Sequence, residues 1–146
     1  MKLSFRSAAL ITMFTLPLPA IAAPIHATLY KNPDCKSCDD YAAYLRQSGF
    51  EVDVKLTDEL TQTSSKAGVP AALEGRHTMF IDRYVFDGLI PIDTVEKVLR
   101  ERPDIAGIAL PGMPVGAPGM DGDKSEPLMV YAFVKDGKPP AVYAVE

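Results

Sequence analysis

The spacing of apolar and polar positions divides the chain into short, alternating elements. Ala27–Lys31 (Ala-Thr-Leu-Tyr-Lys) reads as a strand ended by Asn32-Pro33-Asp34. Across Cys38–Ser48, the residues Cys38, Tyr41, Ala42 and Leu45 recur at i, i+3, i+4 and i+7, the single stripe of an amphipathic helix. Asp39 and Asp40 fall in its first turn, where the helix dipole favours anions, and Gly49 suits the position just past its end. Glu51–Leu56 alternates strictly, with Val52, Val54 and Leu56 on one face, which predicts a half-buried strand. Thr57–Lys66 is polar and reads as a weak helix capped by Thr57 or Asp58, and Gly68-Val69-Pro70 breaks the chain after it. His77–Ile81 and Tyr84–Phe86 form a hairpin around Asp82-Arg83. Gly88–Pro91 connects to a helix over Ile92–Arg102, with Ile92, Val95 and Leu99 inward and Pro103 stopping it.

The resulting order is β-α-β-α-β-β-α, an α/β class and the core order of the thioredoxin-like fold. Gly107–Gly122 holds five glycines and three prolines and is expected to be an irregular Gly/Pro/Met-rich loop. Leu128–Val134 and Ala141–Val145 follow as a C-terminal β-hairpin around Asp136-Gly137.

The first stretch, Met1–Ala22, is set apart. Lys2 and Arg6 precede an uncharged apolar run, Ala8–Leu18, and Ala20-Ile21-Ala22 matches a small-x-small cleavage site. It reads as a secretory signal peptide, too short for a permanent span, so a periplasmic protein is expected. Residues 23–146 are then a single domain. Removing 22 residues from 146 leaves 124, with 13 Lys+Arg against 19 Asp+Glu, net −6. An acidic chain without Lys/Arg clusters is poorly suited to nucleic acid. No second apolar stretch is long enough to cross a membrane. Two cysteines make neither a disulfide-dense scaffold nor a four-cysteine zinc module.

The two cysteines form the sharpest motif, Cys35-Lys36-Ser37-Cys38. At a strand–helix junction this spacing brings both sulfurs to disulfide distance. The first thiol is expected outside the helix and exposed, the second inside the first turn. The orphan N–H groups and the dipole stabilise a thiolate there, as does Lys36. Reduced, the pair presents two soft thiolates suited to Cu(I). The plainer reading is a permanent disulfide, although so short a loop restricts the unfolded chain little. His77 precedes an apolar strand and is expected near Cys35, as a metal ligand, a thiol modulator or simply a strand-end residue. Met113 and Met120 supply thioethers that could fold toward the cysteines as soft ligands, or could merely pin the loop to the core. Tyr30, Tyr41 and Tyr44 read as packing residues. His26, near the start of the domain, reads as mobile and without a role.

The chain resembles the CopG-like family of exported, thioredoxin-like proteins found with bacterial copper resistance, formerly a domain of unknown function. The resemblance is carried by Tyr30–Cys38, Gly49-Phe50-Glu51-Val52, Gly68-Val69-Pro70, His77-Thr78, Tyr84-Val85-Phe86-Asp87-Gly88 and Glu101-Arg102-Pro103. Most specific is Ala109-Leu110-Pro111-Gly112-Met113-Pro114 with Gly116 through Met120. It implies copper handling, with a copper ion or copper-resistance proteins of the cell envelope as partners. Three positions depart from the family. Ser37 replaces the middle cysteine of a Cys-x-Cys-Cys motif, Arg76 replaces the cysteine before His77, and Leu89 replaces a histidine that often follows the glycine equivalent to Gly88.

Three functions therefore compete. One is a Cu(I)-binding protein using Cys35 and Cys38, with His77, Met113 and Met120 as further candidate ligands. Another is a thiol–disulfide oxidoreductase in which Cys35 attacks, Cys38 resolves and a thiol redox partner is required. The third is a non-catalytic module with a structural disulfide. No aromatic residue directly precedes Cys35, and Ala71–Arg76 separate Pro70 from the next strand, both unlike oxidoreductases of this fold.

Overall fold

The computed structural model describes residues 23–146. The signal-peptide expectation for Met1–Ala22 lies outside the described residues. The element order is β1 Ile25–Lys31, α1 Lys36–Gln47, β2 Phe50–Leu56, α2 Leu60–Ala67, a 3-10 turn Ala71–Leu73, β3 His77–Ile81, β4 Tyr84–Asp87, α3 Ile92–Glu101, β5 Gly107–Ala109, β6 Met129–Phe133 and β7 Ala141–Val145. The first seven helices and strands keep the order read from the sequence. They build a mixed α/β structure on one seven-stranded sheet, ordered β2-β1-β3-β4-β5-β6-β7. β1 pairs parallel with β2 and β4 parallel with β5, and the remaining neighbours are antiparallel.

The period of two along each strand sorts side chains between two faces. Leu29, Met79, Ile81, Tyr84, Phe86, Ile108 and Val130 join Tyr41, Ala42 and Leu45 of α1 and Val95 and Val98 of α3 in the main core. Val85, Ala109 and Phe133 point the other way and pack with Ala67, Val69 and Leu73 at and beyond the end of α2. Helices α1 and α3 thus cover one face, and α2 part of the other.

Several boundaries and faces differ from expectation. Gly107–Ala109 is not loop but the strand β5, hydrogen-bonded on both sides. Gly107 is required there because a Cβ would meet the Val85 backbone. Helix α2 starts at Leu60, and Thr57 Oγ1 accepts the Glu59 N–H just before it. In α3 the fully buried positions are Thr94, Val95 and Val98, while Ile92 and Leu99 pack at the margin. The buried face includes Thr94, whose inward hydroxyl donates to the Glu146 carboxylate. His26 lies in β1, its exposed side chain placing Nδ1 3.2 Å from Glu51 across the β1–β2 pair.

The rest of the Gly/Pro-rich stretch is irregular, as expected, and returns over α1. Leu110, Ala117 and Leu128 are buried in the main core, and Met120 packs against it. Gly119, at φ +84°, lies so close to the first turn of α1 that a Cβ would come within 2.7 Å of the Ser37 carbonyl oxygen and 3.0 Å of the Tyr41 nitrogen.

Candidate redox and metal site

The cysteine motif sits where β1 ends and α1 begins. Cys35 is the N-cap of α1 with an extended backbone, and Cys38 is the third helical residue. The two are joined as a disulfide with Cα atoms 5.3 Å apart. Cys35 makes no side-chain capping hydrogen bond, and both sulfurs lie at the positive end of the helix dipole, which favours a thiolate once the bond is reduced.

Exposure is where the expectation for Cys35 fails. Its exposure is 3% and that of Cys38 is 0%. Cys35 lies outside the helix, as expected, but it is buried rather than exposed. Met113 and Gly119, from the returning loop, both touch the Ser37 segment beside it. No sequence periodicity signals that return.

The two sulfurs meet different neighbours. Cys35 Sγ is 3.6 Å from Ser37 Oγ, and the Ser37 hydroxyl donates to Met113 Sδ at 3.9 Å. Cys38 Sγ is 3.3 Å from the Arg76 carbonyl oxygen. When reduced, the Cys38 thiol has an acceptor that favours its protonated form. Cys35 has no such carbonyl acceptor and sits at the helix N-terminus, whose positive dipole end favours a thiolate. The two sulfurs are therefore not equivalent once reduced.

Lys31 holds the motif from beneath, a role its place at the end of β1 did not announce. Its side chain is buried, and Nζ donates to the carbonyls of Pro33 (3.3 Å) and Cys35 (3.2 Å) and to Asp39 Oδ2 (2.8 Å). The signal for it was the inward phase shared by Ala27, Leu29 and Lys31 along one strand face.

His77 lies opposite Lys31 in the β1–β3 pairing and is completely buried. Its ring stacks on Tyr41, one helical turn beyond Cys38, with centroids 4.8 Å apart. Tyr41 is fixed in turn by its hydroxyl, which donates to the Ile90 carbonyl at 2.9 Å, and burial pushes its own pKa upward. Among the described residues neither His77 ring nitrogen has a hydrogen-bond partner. Burial lowers the imidazole pKa to about 4; the Gly88 backbone opposes this slightly but is not aligned to satisfy a ring nitrogen. Unpaired nitrogens of this kind are rare in protein interiors and call for an explanation, because each leaves a desolvated polar atom uncompensated.

The candidate residues are only partly brought together. Cys35 and Cys38 are bonded, Met113 reaches them through Ser37, and His77 follows Arg76, whose carbonyl touches Cys38. Met120 packs into the core instead. Among the described residues no three His, Cys, Asp or Glu side chains converge as a metal-ligand group. Among the described residues, the surface grooves of about 310 to 600 Å³ are lined by neither cysteine nor by His77. The three departing positions do adjoin the site. Ser37 contacts Cys35, Arg76 contacts Cys38 through its carbonyl, and Leu89 is buried next to Gly88, whose N–H donates to the His77 carbonyl.

Sequence reading missed a second buried network, on the other face. The Asp87 carboxylate accepts hydrogen bonds from the Gly75 N–H and from Thr78 Oγ1, and Thr78 Oγ1 is 2.6 Å from Ser64 Oγ of α2. It secures the segment that presents Arg76 and His77. Burial raises the Asp87 pKa to about 6, despite the hydrogen bonds from Thr78 and Gly75.

These two groups oppose each other in pH. The depressed His77 pKa means the unfolded chain binds the extra proton first, so its contribution to stability is lost as pH falls from about 6.5 to about 4. The raised Asp87 pKa means the folded chain holds the extra proton, so its contribution is lost as pH rises from about 4 to about 6. Each is worth about 3 kcal/mol at most, and together they nearly cancel. His77→Phe therefore should gain stability relative to the native protein as pH is lowered from 7 to 4.5, and Asp87→Asn should lose it. Urea unfolding midpoints across that range provide the check, and parallel profiles for all three proteins would refute the assignment.

The mixed α/β sheet thus carries a buried Cys-x-x-Cys disulfide at a helix N-terminus, a histidine stacked on the same helix and a Met-bearing loop beside them. Residues 73–120 match a family model described as "Protein of unknown function, DUF411". Two solved structures titled "Copper resistance protein copG", Form 2 and Form 1, are similar over 85% of this chain at 33% sequence identity. They are covered over 99% and 98% of their own lengths, with TM-scores of 0.78 and 0.77. No curated protein sequence matched. The chain belongs to the CopG-like, DUF411 family.

Proposed function

We propose that the protein handles Cu(I) in copper resistance, holding the ion through the reduced Cys35 and Cys38. The observation that carries this reading is His77. A neutral imidazole with both nitrogens buried and unpaired, next to the strand entry that touches Cys38, is a ligand without a load. Two thiolates and one neutral imidazole form a soft to borderline donor set suited to Cu(I). The disulfide cannot ligate, so loading requires prior reduction. A thiol donor supplies two electrons and two protons to give the dithiol, and Cu(I) then displaces the protons. Kinship with structures titled copper resistance protein supports the same reading, as does the β-α-β-α-β-β-α order of the core, which places the cysteine pair at a strand–helix junction. Ser37 and Arg76 occupy two positions where the family carries thiols, so the reading is a single ion rather than a cluster. The leader-like Met1–Ala22 and a disulfide that persists only in an oxidising compartment support a periplasmic location.

Titration of the reduced protein with Cu(I) against a competing chelator tests this. One ion per chain is expected, with none taken up by the oxidised form. Equal uptake by both forms would defeat the reading.

A second reading is favoured by the asymmetry of the two sulfurs. An accessible nucleophile is still needed for thiol–disulfide exchange, and Cys35 meets the chemical half of that demand but is covered by the loop. Exchange would require the loop to lift.

A further inference from the structure

The sheet face opposite α1 and α3 carries a groove of about 600 Å³. It exists because α2 has only eight residues and leaves part of that face uncovered. The floor is Tyr30 of β1, Phe80 of β3 and Val85 of β4. Tyr30 and Phe80 meet edge to face, centroids 5.7 Å apart, and both remain half-buried although β1 and β3 are interior strands. The pair retains apolar area that a flat apolar ligand could cover.

Three cations rim the groove: Lys66 from α2, Arg83 from the β3–β4 turn and Lys135 beyond β6. Among the described residues none of them forms an ion pair. Their hydrogen bonds go to neutral acceptors. Lys66 Nζ reaches Gln62 Oε1 at 2.8 Å, and the Arg83 guanidinium reaches the Pro103 carbonyl at 2.8 Å and the Tyr84 hydroxyl at 3.1 Å. The one acid on the lining, Asp82, is committed to Arg102 at 2.8 Å. In a chain with 19 acidic and 15 basic side chains, three uncompensated cations around an aromatic floor run against the overall charge.

We propose that this groove binds a small organic anion with a flat, apolar or aromatic body. The body rests on Tyr30 and Phe80, and a phosphate, sulfonate or carboxylate sits between Lys66 and Lys135. Charge complementarity selects an anion, the floor selects a ring, and the volume is that of a small-molecule site. No sulfur or imidazole lines it, so it is chemically distinct from the cysteine site on the opposite face.

The probe is phenyl phosphate, titrated into 15N-labelled protein and followed by amide chemical shifts. Saturable shifts are expected at Tyr30, Lys66 and Phe80, with benzyl alcohol, the neutral analogue, producing none that saturate. The double variant Lys66→Glu, Lys135→Glu keeps the floor and should bind at least about tenfold more weakly, as reversal of two charges removes the anion's attraction. Cys35→Ser should bind phenyl phosphate unchanged, which separates this site from the fate of the copper reading. Shifts that do not saturate, equal binding of benzyl alcohol, or an unaltered double variant would each overturn the proposal.

Discussion

Replacing either cysteine of the pair by serine is expected to lower Cu(I) affinity by about a thousandfold, a loss of about 4 kcal/mol. Cys35 and Cys38 are the only cysteines in the chain, so one substitution removes half the soft thiolate donors. A serine hydroxyl is hard, stays protonated and does not replace them. His77→Ala should weaken binding by about tenfold, the scale of an auxiliary ligand or a group that orients one. The order Cys35→Ser ≈ Cys38→Ser, both far below His77→Ala, is the signature of a two-thiolate site. Thiol–disulfide exchange gives a different order. Cys38→Ser would trap mixed disulfides through Cys35 and Cys35→Ser would trap none, because under that reading Cys38, facing the Arg76 carbonyl, would be the resolving sulfur. Competitive Cu(I) titration and non-reducing mass analysis of the same two variants separate these outcomes. Serine variants that retain native Cu(I) affinity would eliminate the thiolate site.

Most of the framework was legible because periodicity is local. The α1 stripe of Cys38, Tyr41, Ala42 and Leu45 is the set buried in the structure, and the turn at Asp82 takes the left-handed backbone that a tight hairpin demands. What periodicity could not convey is contact between distant segments. The three-residue β5 was hidden inside a glycine-rich run, since Gly107 is there for close approach to Val85 rather than for flexibility. The site was legible in its cysteines and only suggested at His77. Lys31 and Asp87 were passed over because a charged residue in a strand ordinarily faces water, whereas here tertiary partners satisfy each of them inside. The burial of Cys35 was misjudged for the same reason: the residues beside it that touch the loop meet it some 80 positions later in the chain.

That loop contact supplies the most direct test of how the site opens. Gly119 combines φ +84° with backbone packing on α1, and a methyl group there would press on the Ser37 carbonyl and the Tyr41 nitrogen rather than on a side chain able to rotate away. Gly119→Ala therefore adds left-handed backbone strain to a fixed collision, together about 1–3 kcal/mol. If the loop yields, the closed state loses that energy relative to the open one, and the open population rises by about fivefold to a hundredfold. Reduction of the Cys35–Cys38 disulfide by a small dithiol should accelerate in proportion, read by alkylation of the freed thiols over time. Gly112→Ala is the matched control. Gly112 has φ +75° on the same loop, but nothing lies within 4 Å of its added Cβ. It carries the same kind of backbone strain without the collision on α1, so its reduction rate should stay close to native. Equal acceleration in both variants would mean that general loosening of the loop, not its seat on the first turn of α1, governs access to the sulfurs. An unchanged rate in Gly119→Ala would mean that the sulfurs are reached by another route.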